Sequence, residues 1–423
     1  MRTHIIGGRV IDPKNGVDCV TDVFLDGHRI AAIGQAPAGF TADHQVDAKN
    51  QIVCPGLVDL NVALCEPGYT RKGTVASETR AAVAGGVTSL CCPPNTKPVL
   101  DAPSVAEVIL DRAREANFSK VYPIGALTRG LEGENLSELV TLRNAGCVAF
   151  TNGLHPYKCR RTQRRAFEYA ATFDIPVVLY VQDSALAEGG MAHEGPTASF
   201  LGLAGIPEVA ETIALAEALL LVEQSGVRAH FTHLTTARAA EMIADAQARG
   251  LRVTADVALY QLFLNDQGLI DFTSSYHVQP PLRSEADRLG LREAVKAGVI
   301  SCIASHHQPH EEDAKLAPFA ATEPGISGVE LLLPLGLRLV DEGVLSLSQL
   351  VERMSAAPAS VIGVEAGGLA VGDIADVIVF DPNAAFTVGE NWRSKGRNTP
   401  FMGQSLLGKV TYTWVDGRRV YSA

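Results

Sequence analysis

The sequence predicts an α/β fold: a (β/α)8 TIM-type barrel that carries a small β-sandwich-like domain assembled from both termini. Three observations predict it. Eight apolar, strand-like runs alternate with helix-like stretches through the middle of the chain. Both ends instead carry short strand runs punctuated by turn residues. The 423 residues, 47% of them hydrophobic, suffice to bury one large core. An open doubly wound sheet is the competing arrangement, but no glycine-rich phosphate fingerprint follows the first strand.

The elements follow in order. Val23-Phe24-Leu25, the turn residues Asp26-Gly27 and Arg29–Ile33 read as a hairpin. Strand-like runs then fall at Ile52–Asn61, Val87–Cys91, Val121–Ile124, Cys147–Thr151, Val177–Tyr180, Arg228–Thr232, Arg252–Asp256 and Ile300–Ala304. Helical patterns lie between most of them, at Ser104–Ala116, Arg160–Asp174, Pro207–Gly226, Thr236–Arg249 and Ser284–Gly298. Pro103 opens the first of these, and Gly250 and Gly298 close the last two. Asp376–Phe380 and Lys409–Val415, with Asp416-Gly417 after them, return to strand patterning. The expected division is residues 1–52 with 365–423 for the composite β domain and 53–364 for the barrel.

Net charge is −11, with a pI near 5.5. Such a chain is a poor match for nucleic acid or anionic lipid. The eight cysteines include no C-x-x-C pair, and most lie in apolar runs such as Ser89-Leu90-Cys91-Cys92. They read as buried, reduced thiols rather than a disulfide or zinc framework. The N-terminal residues show no apolar targeting segment, and no run is long enough to span a bilayer, so the expected location is cytoplasmic.

Barrel enzymes keep their chemistry at the C-terminal ends of the strands. The first such end, Cys54-Pro55-Gly56-Leu57-Val58-Asp59-Leu60-Asn61-Val62-Ala63-Leu64-Cys65-Glu66-Pro67-Gly68, strongly resembles the first strand of dihydroorotases, members of the amidohydrolase superfamily. The resemblance continues through Ala84–Thr88, Pro94–Val99, Val278–Arg283 and Glu323–Glu330, and ends at Asn398–Gly403. It spans essentially the whole chain.

The resemblance implies a metal centre: a His-x-His on strand one, a carboxylate on strand four, histidines on strands five and six, and an aspartate on strand eight that also serves as base. Imidazoles and carboxylates hold a divalent ion, and the ion supplies hydroxide near neutral pH. Carried over position by position, the His-x-His becomes Asn61-Val62-Ala63, the carboxylate Asn152, the strand-five histidine Tyr180 and the strand-eight aspartate His306. Of the six implied ligands only His233 remains. One imidazole does not hold a catalytic ion, so no cofactor, metal ligand set or catalytic residue is expected. The substrate arginine of the resemblance falls at Cys65, and its substrate asparagine is retained as Asn95, vestigial without the rest. A neutral thiol cannot replace a bidentate guanidinium.

Other patterns carry less. His230, His233, His277, His306, His307 and His310 form no convincing relocated site, since Pro309 interrupts the His306–His310 spacing. Tyr180 and Tyr260-Gln261 read as space-filling groups, and Asp256, Asp183 and Glu188 show no hydrolytic spacing. The run Lys158–Arg165 reads as a solvated helix start or, more sharply, as a patch for an acidic partner surface.

A retained fold without its chemistry argues for binding or assembly. In some bacteria a dihydroorotase-like chain lacking the metal ligands is the non-catalytic partner of aspartate carbamoyltransferase in pyrimidine biosynthesis, and this sequence resembles that chain. The resemblance implies a hetero-oligomer with that catalytic chain and self-association as a homodimer. Two alternatives stand beside it: an active cyclic amidase of the dihydroorotase or hydantoinase kind with a rebuilt metal site, and a small-molecule sensor using Asn95 and Arg283.

Overall fold

The computed structural model describes all residues, Met1–Ala423. Eight parallel strands run in sequential order: Leu57–Asp59, Val87–Cys92, Lys120–Ala126, Ala149–Thr151, Val177–Leu179, Ala229–Phe231, Val253–Ala258 and Cys302–Ala304. The first and eighth strands meet just beyond their ends. His307 N–H donates to the Asn61 carbonyl at 3.1 Å, and Ala63 N–H donates to the His307 carbonyl at 2.9 Å. The segment Asn61–Ala63 therefore seals the barrel wall. Inward residues Val58, Leu60, Cys91, Ile124, Ala149, Val178, Cys302 and Ala304 fill the barrel and pack on helix Ala356–Ile362. A larger cluster of 72 buried residues joins the strands to the surrounding helices.

The helices fall where apolar periodicity placed them: Pro103–Ala116, Arg160–Thr172, Val209–Ser225, Ala237–Ala248 and Glu285–Ala297. Their ends have local causes. Ser284 and Asp287 form a capping box, and Gly298 closes that helix in the left-handed conformation at φ 83°.

Residues Arg2–Asp12, Val17–Asp26, Arg29–Ile33, His44–Asp47, Ile52–Pro55, Val377–Thr387, Ser405–Val415 and Arg418–Ser422 form the terminal domain. The strands are hydrogen-bonded into one eight-stranded sheet. One set of its side chains builds a separate 13-residue core around Trp414. The run expected as a single strand over Ile52–Asn61 serves both units: Ile52–Pro55 pairs with Val377–Thr387, and Leu57–Asp59 enters the barrel. Gly56 allows the turn between them, because a Cβ there would lie 2.1 Å from Thr88 Oγ1. The terminal sheet thus extends to Pro55, three residues past the expected boundary at 52.

All eight cysteines are free. Five are buried, as the apolar runs around most of them predict, Cys65 is half-buried, and Cys19 and Cys159 are exposed. No helix is long and apolar enough to cross a membrane.

Candidate functional site at the barrel mouth

The strand ends bring His230, His233 and His306 together around Asp256. Asp256, within the seventh strand, is fully buried and is the hub of the mouth. Its Oδ2 accepts hydrogen bonds from His230 Nε2 at 2.8 Å and Thr232 Oγ1 at 2.7 Å. Its Oδ1 accepts from His306 Nε2 and from the His233 backbone N–H, both at 2.8 Å. Burial alone would raise this carboxyl. The opposing charge of His306 and the bond from His230 outweigh it and hold Asp256 well below the ordinary carboxylate range.

That hub accounts for the histidines on strands six and eight. His306 sits at φ 47°, in the left-handed region that favours glycine, and its Nε2 is committed to Asp256. His233, at φ 60°, places its ring 4.1 Å from that of His306 and its Nε2 3.1 Å from Tyr260 Oη. Burial, and then the charge of His306, push the His233 imidazole well below its usual pKa, which keeps it neutral. Asn61 Nδ2 donates to Tyr180 Oη, and burial raises that phenol above its ordinary value. Asn152 Oδ1 accepts from Thr128 Oγ1 at 2.5 Å, and its Nδ2 donates to the His155 carbonyl at 2.9 Å.

The donor set does not fit a metal centre. Ala63 has no ligand atom, Asn61 is engaged with Tyr180, and Asn152 is turned into its own loop. No group of three or more His, Cys, Asp or Glu side chains converges on a point that an ion could occupy. The remaining histidines are structural. His307 Nδ1 accepts from Gly328 N–H at 3.0 Å, and its Nε2–H donates to Glu78 at 2.8 Å. Glu78 also accepts from Ser394 Oγ at 2.6 Å and Lys395 N–H at 3.2 Å, which ties the C-terminal segment to the barrel. His277 bonds Thr322 Oγ1 at 2.8 Å, and His310 bonds the Pro324 carbonyl at 3.0 Å.

A cavity of about 460 Å³ remains at the mouth, lined by Ala63, Cys65, Asn95, Gln279, Gln308 and His310 among others. Asn95 is exposed there, at the place the resemblance gave it. Cys65 stands where an arginine was implied, and burial, reinforced by Glu78, pushes its thiol up to about 12. Arg283 does not reach this cavity. It is 2% exposed and donates to Thr235 Oγ1 at 3.0 Å and the Ile206 carbonyl at 2.7 Å, so it is removed as a pocket contact. Asp183 is likewise local, accepting from the backbone N–H groups of Ala185 and Leu186 at 3.0 and 2.9 Å. Glu188 is exposed. Sequence reasoning missed Asp256 as a hub. The available signal was a lone carboxylate on an otherwise apolar strand, beside histidines on strands six and eight.

A barrel with its polar residues at the strand ends, joined to a sheet from both termini, is the amidohydrolase architecture. The L-hydantoinase of Arthrobacter aurescens has this fold: TM-score 0.88 at 24% identity, covering 99% of this chain and 96% of that one. Residues 50–239 match the dihydro-orotase-like family model, and residues 336–421 match the amidohydrolase family model. A dihydroorotase-like protein of Pseudomonas aeruginosa is 65% identical over 417 residues, 99% of either chain. A dihydroorotase of Syntrophus aciditrophicus is 42% identical over 423 residues, 100% of this chain and 99% of that one. This chain belongs to the dihydroorotase-like amidohydrolase family.

Proposed function

We propose that this chain is a non-catalytic, cytoplasmic dihydroorotase-like subunit that assembles with and supports aspartate carbamoyltransferase in pyrimidine biosynthesis, and that it also self-associates as a homodimer. One observation carries the reading. The positions at which the resemblance implies metal ligands hold Asn61, Ala63, Asn152, Tyr180 and His306, and the last is bonded to Asp256 rather than free. Hydroxide formation at neutral pH needs a bound ion or an equivalent base. His306 commits its Nε2 to Asp256, which it would have to give up to act as a base through that nitrogen. Near-whole-chain similarity to a dihydroorotase-like protein supports a fold retained for a purpose other than that chemistry.

The test is co-expression with and without the carbamoyltransferase chain, followed by the mass of the assembly and assay of both enzymes. The proposal expects a hetero-oligomer and no interconversion of carbamoyl aspartate and dihydroorotate by this chain. The competing reading, an active cyclic amidase, draws on 42% identity to the dihydroorotase of Syntrophus aciditrophicus. Metal-dependent turnover by the purified chain would establish it in place of the first.

A further inference from the structure

One helix of the barrel wall carries apolar side chains on both its inner and its outer face. Val209–Ser225 buries Ala210, Leu215, Ala218, Leu219 and Val222 inward. On its outer face Val209, Ile213 and Leu220 are 49%, 48% and 67% exposed, with Ala216 exposed between them. Steps of four, three and four residues put these side chains in one stripe. A stripe of this kind is ordinarily covered in the functional state.

The adjoining helix, Arg160–Thr172, is joined to it by the Arg160–Glu217 ion pair. Arg164 pairs with Glu168 at 2.9 Å, whereas Lys158, Arg161 and Arg165 are exposed and pair with no carboxylate. Arg161 and Arg165 are one helical turn apart on the exposed side of this neighbouring helix. On the far side, Glu223 is neutralised by Arg249 at 3.0 Å. The face is thus apolar in the middle and positive along one edge, on a chain whose net charge is −11.

We propose that this two-helix face docks a different protein, one presenting an apolar centre with a carboxylate-rich rim. This rests on the assembly reading above, under which that protein is the carbamoyltransferase chain. Charge complementarity selects the occupant. Three uncompensated cations on this edge call for an acidic counterpart. A second copy that laid its own stripe antiparallel on this one would set Arg161 and Arg165 against themselves. A copy offering some other, acidic face would make a head-to-tail contact that does not close into a dimer. Anionic lipid is disfavoured by the charge of the whole chain.

The experiment is sedimentation of the full chain with the carbamoyltransferase chain, comparing wild type, Leu220→Asp, Arg161→Glu/Arg165→Glu, and a control, Val371→Asp, at an exposed loop position of the terminal domain. All four substituted side chains face solvent, and circular dichroism checks that each variant is folded. We expect Leu220→Asp to weaken the complex about 10-fold or more at any salt. Arg161→Glu/Arg165→Glu should weaken it about 10-fold in 50 mM NaCl and about 3-fold or less in 500 mM. Val371→Asp should leave it unchanged. A wild-type complex that both folded face variants form equally well overturns the docking face and leaves the assembly reading standing. No wild-type complex at all overturns both. Loss of self-association, or of binding to phosphatidylserine vesicles, in the face variants with the hetero-complex intact would assign the face to a second copy or to a membrane, and would also overturn the proposal.

Discussion

Replacing Asp256 is the sharpest probe of what now holds the barrel mouth together. The carboxylate accepts from His230, Thr232, His306 and the His233 backbone at 2.7–2.8 Å, and it is 0% exposed. Asp256→Ala leaves these donors buried without a partner. At about 1–3 kcal/mol for each of the four stranded groups, the loss is about 4–12 kcal/mol, a large part of the ~5–15 kcal/mol that usually holds a folded domain. Asp256→Asn keeps the shape and one oxygen. It retains the two bonds at Oδ1, and the amide confronts the two donors at Oδ2. Thr232 can rotate its hydroxyl and His230 can change tautomer, so about 2–3 kcal/mol is lost. Urea unfolding followed by far-UV circular dichroism reads both variants. The same carboxylate has a pH signature. Its folded pKa lies below the unfolded value of about 3.9, so its stabilisation is present above that value and is lost as pH falls toward the folded pKa. An Asp256→Asn chain within about 0.5 kcal/mol of wild type would refute the view that Asp256 ties strands six, seven and eight.

Three further outcomes follow from the same geometry. His277 and His310 are pushed down to about 4, by burial first and then by Lys315 for His277 and by Lys72 for His310. Because the unfolded state takes up these protons first, stability should fall as pH drops from about 6.5 toward 4, read as a declining melting temperature that His310→Gln partly flattens. Glu78→Gln should cost about 2–4 kcal/mol, because it disrupts bonds to both His307 and Ser394, and should speed proteolysis within residues 390–398. Restoring only Asn61→His and Ala63→His should not create a tight zinc site, because Asn152 and Tyr180 remain and His306 stays bound to Asp256; isothermal titration with zinc reads this directly.

Strand and helix order were legible because their cause is local. Apolar runs, Ser284 with Asp287, and Gly298 each act within a few residues. What escaped was set by distance in space. Ile52–Asn61 reads as one apolar strand, and only the approach of Thr88 to Gly56 divides it between two sheets. Likewise Arg283 reads as a pocket residue until the fold buries it against Ile206 and Thr235. At the mouth, the family resemblance singles out Asn61, Ala63, Asn152, Tyr180, His233 and His306 residue by residue. The Asp256 network was not, since bonds to His230 and His306 cross 26 and 50 residues of chain and leave no periodic trace.

The claim at the centre is that the barrel mouth has exchanged an ion-holding donor set for a closed hydrogen-bond network. Metal analysis of the untagged chain, expressed with zinc in the medium and passed through gel filtration without chelator, tests it most directly. The expected result is less than about 0.1 ion per chain, since His233 alone cannot retain one. About one or more tightly held ions per chain, removed only by a chelator and lost in His233→Ala, would contradict it.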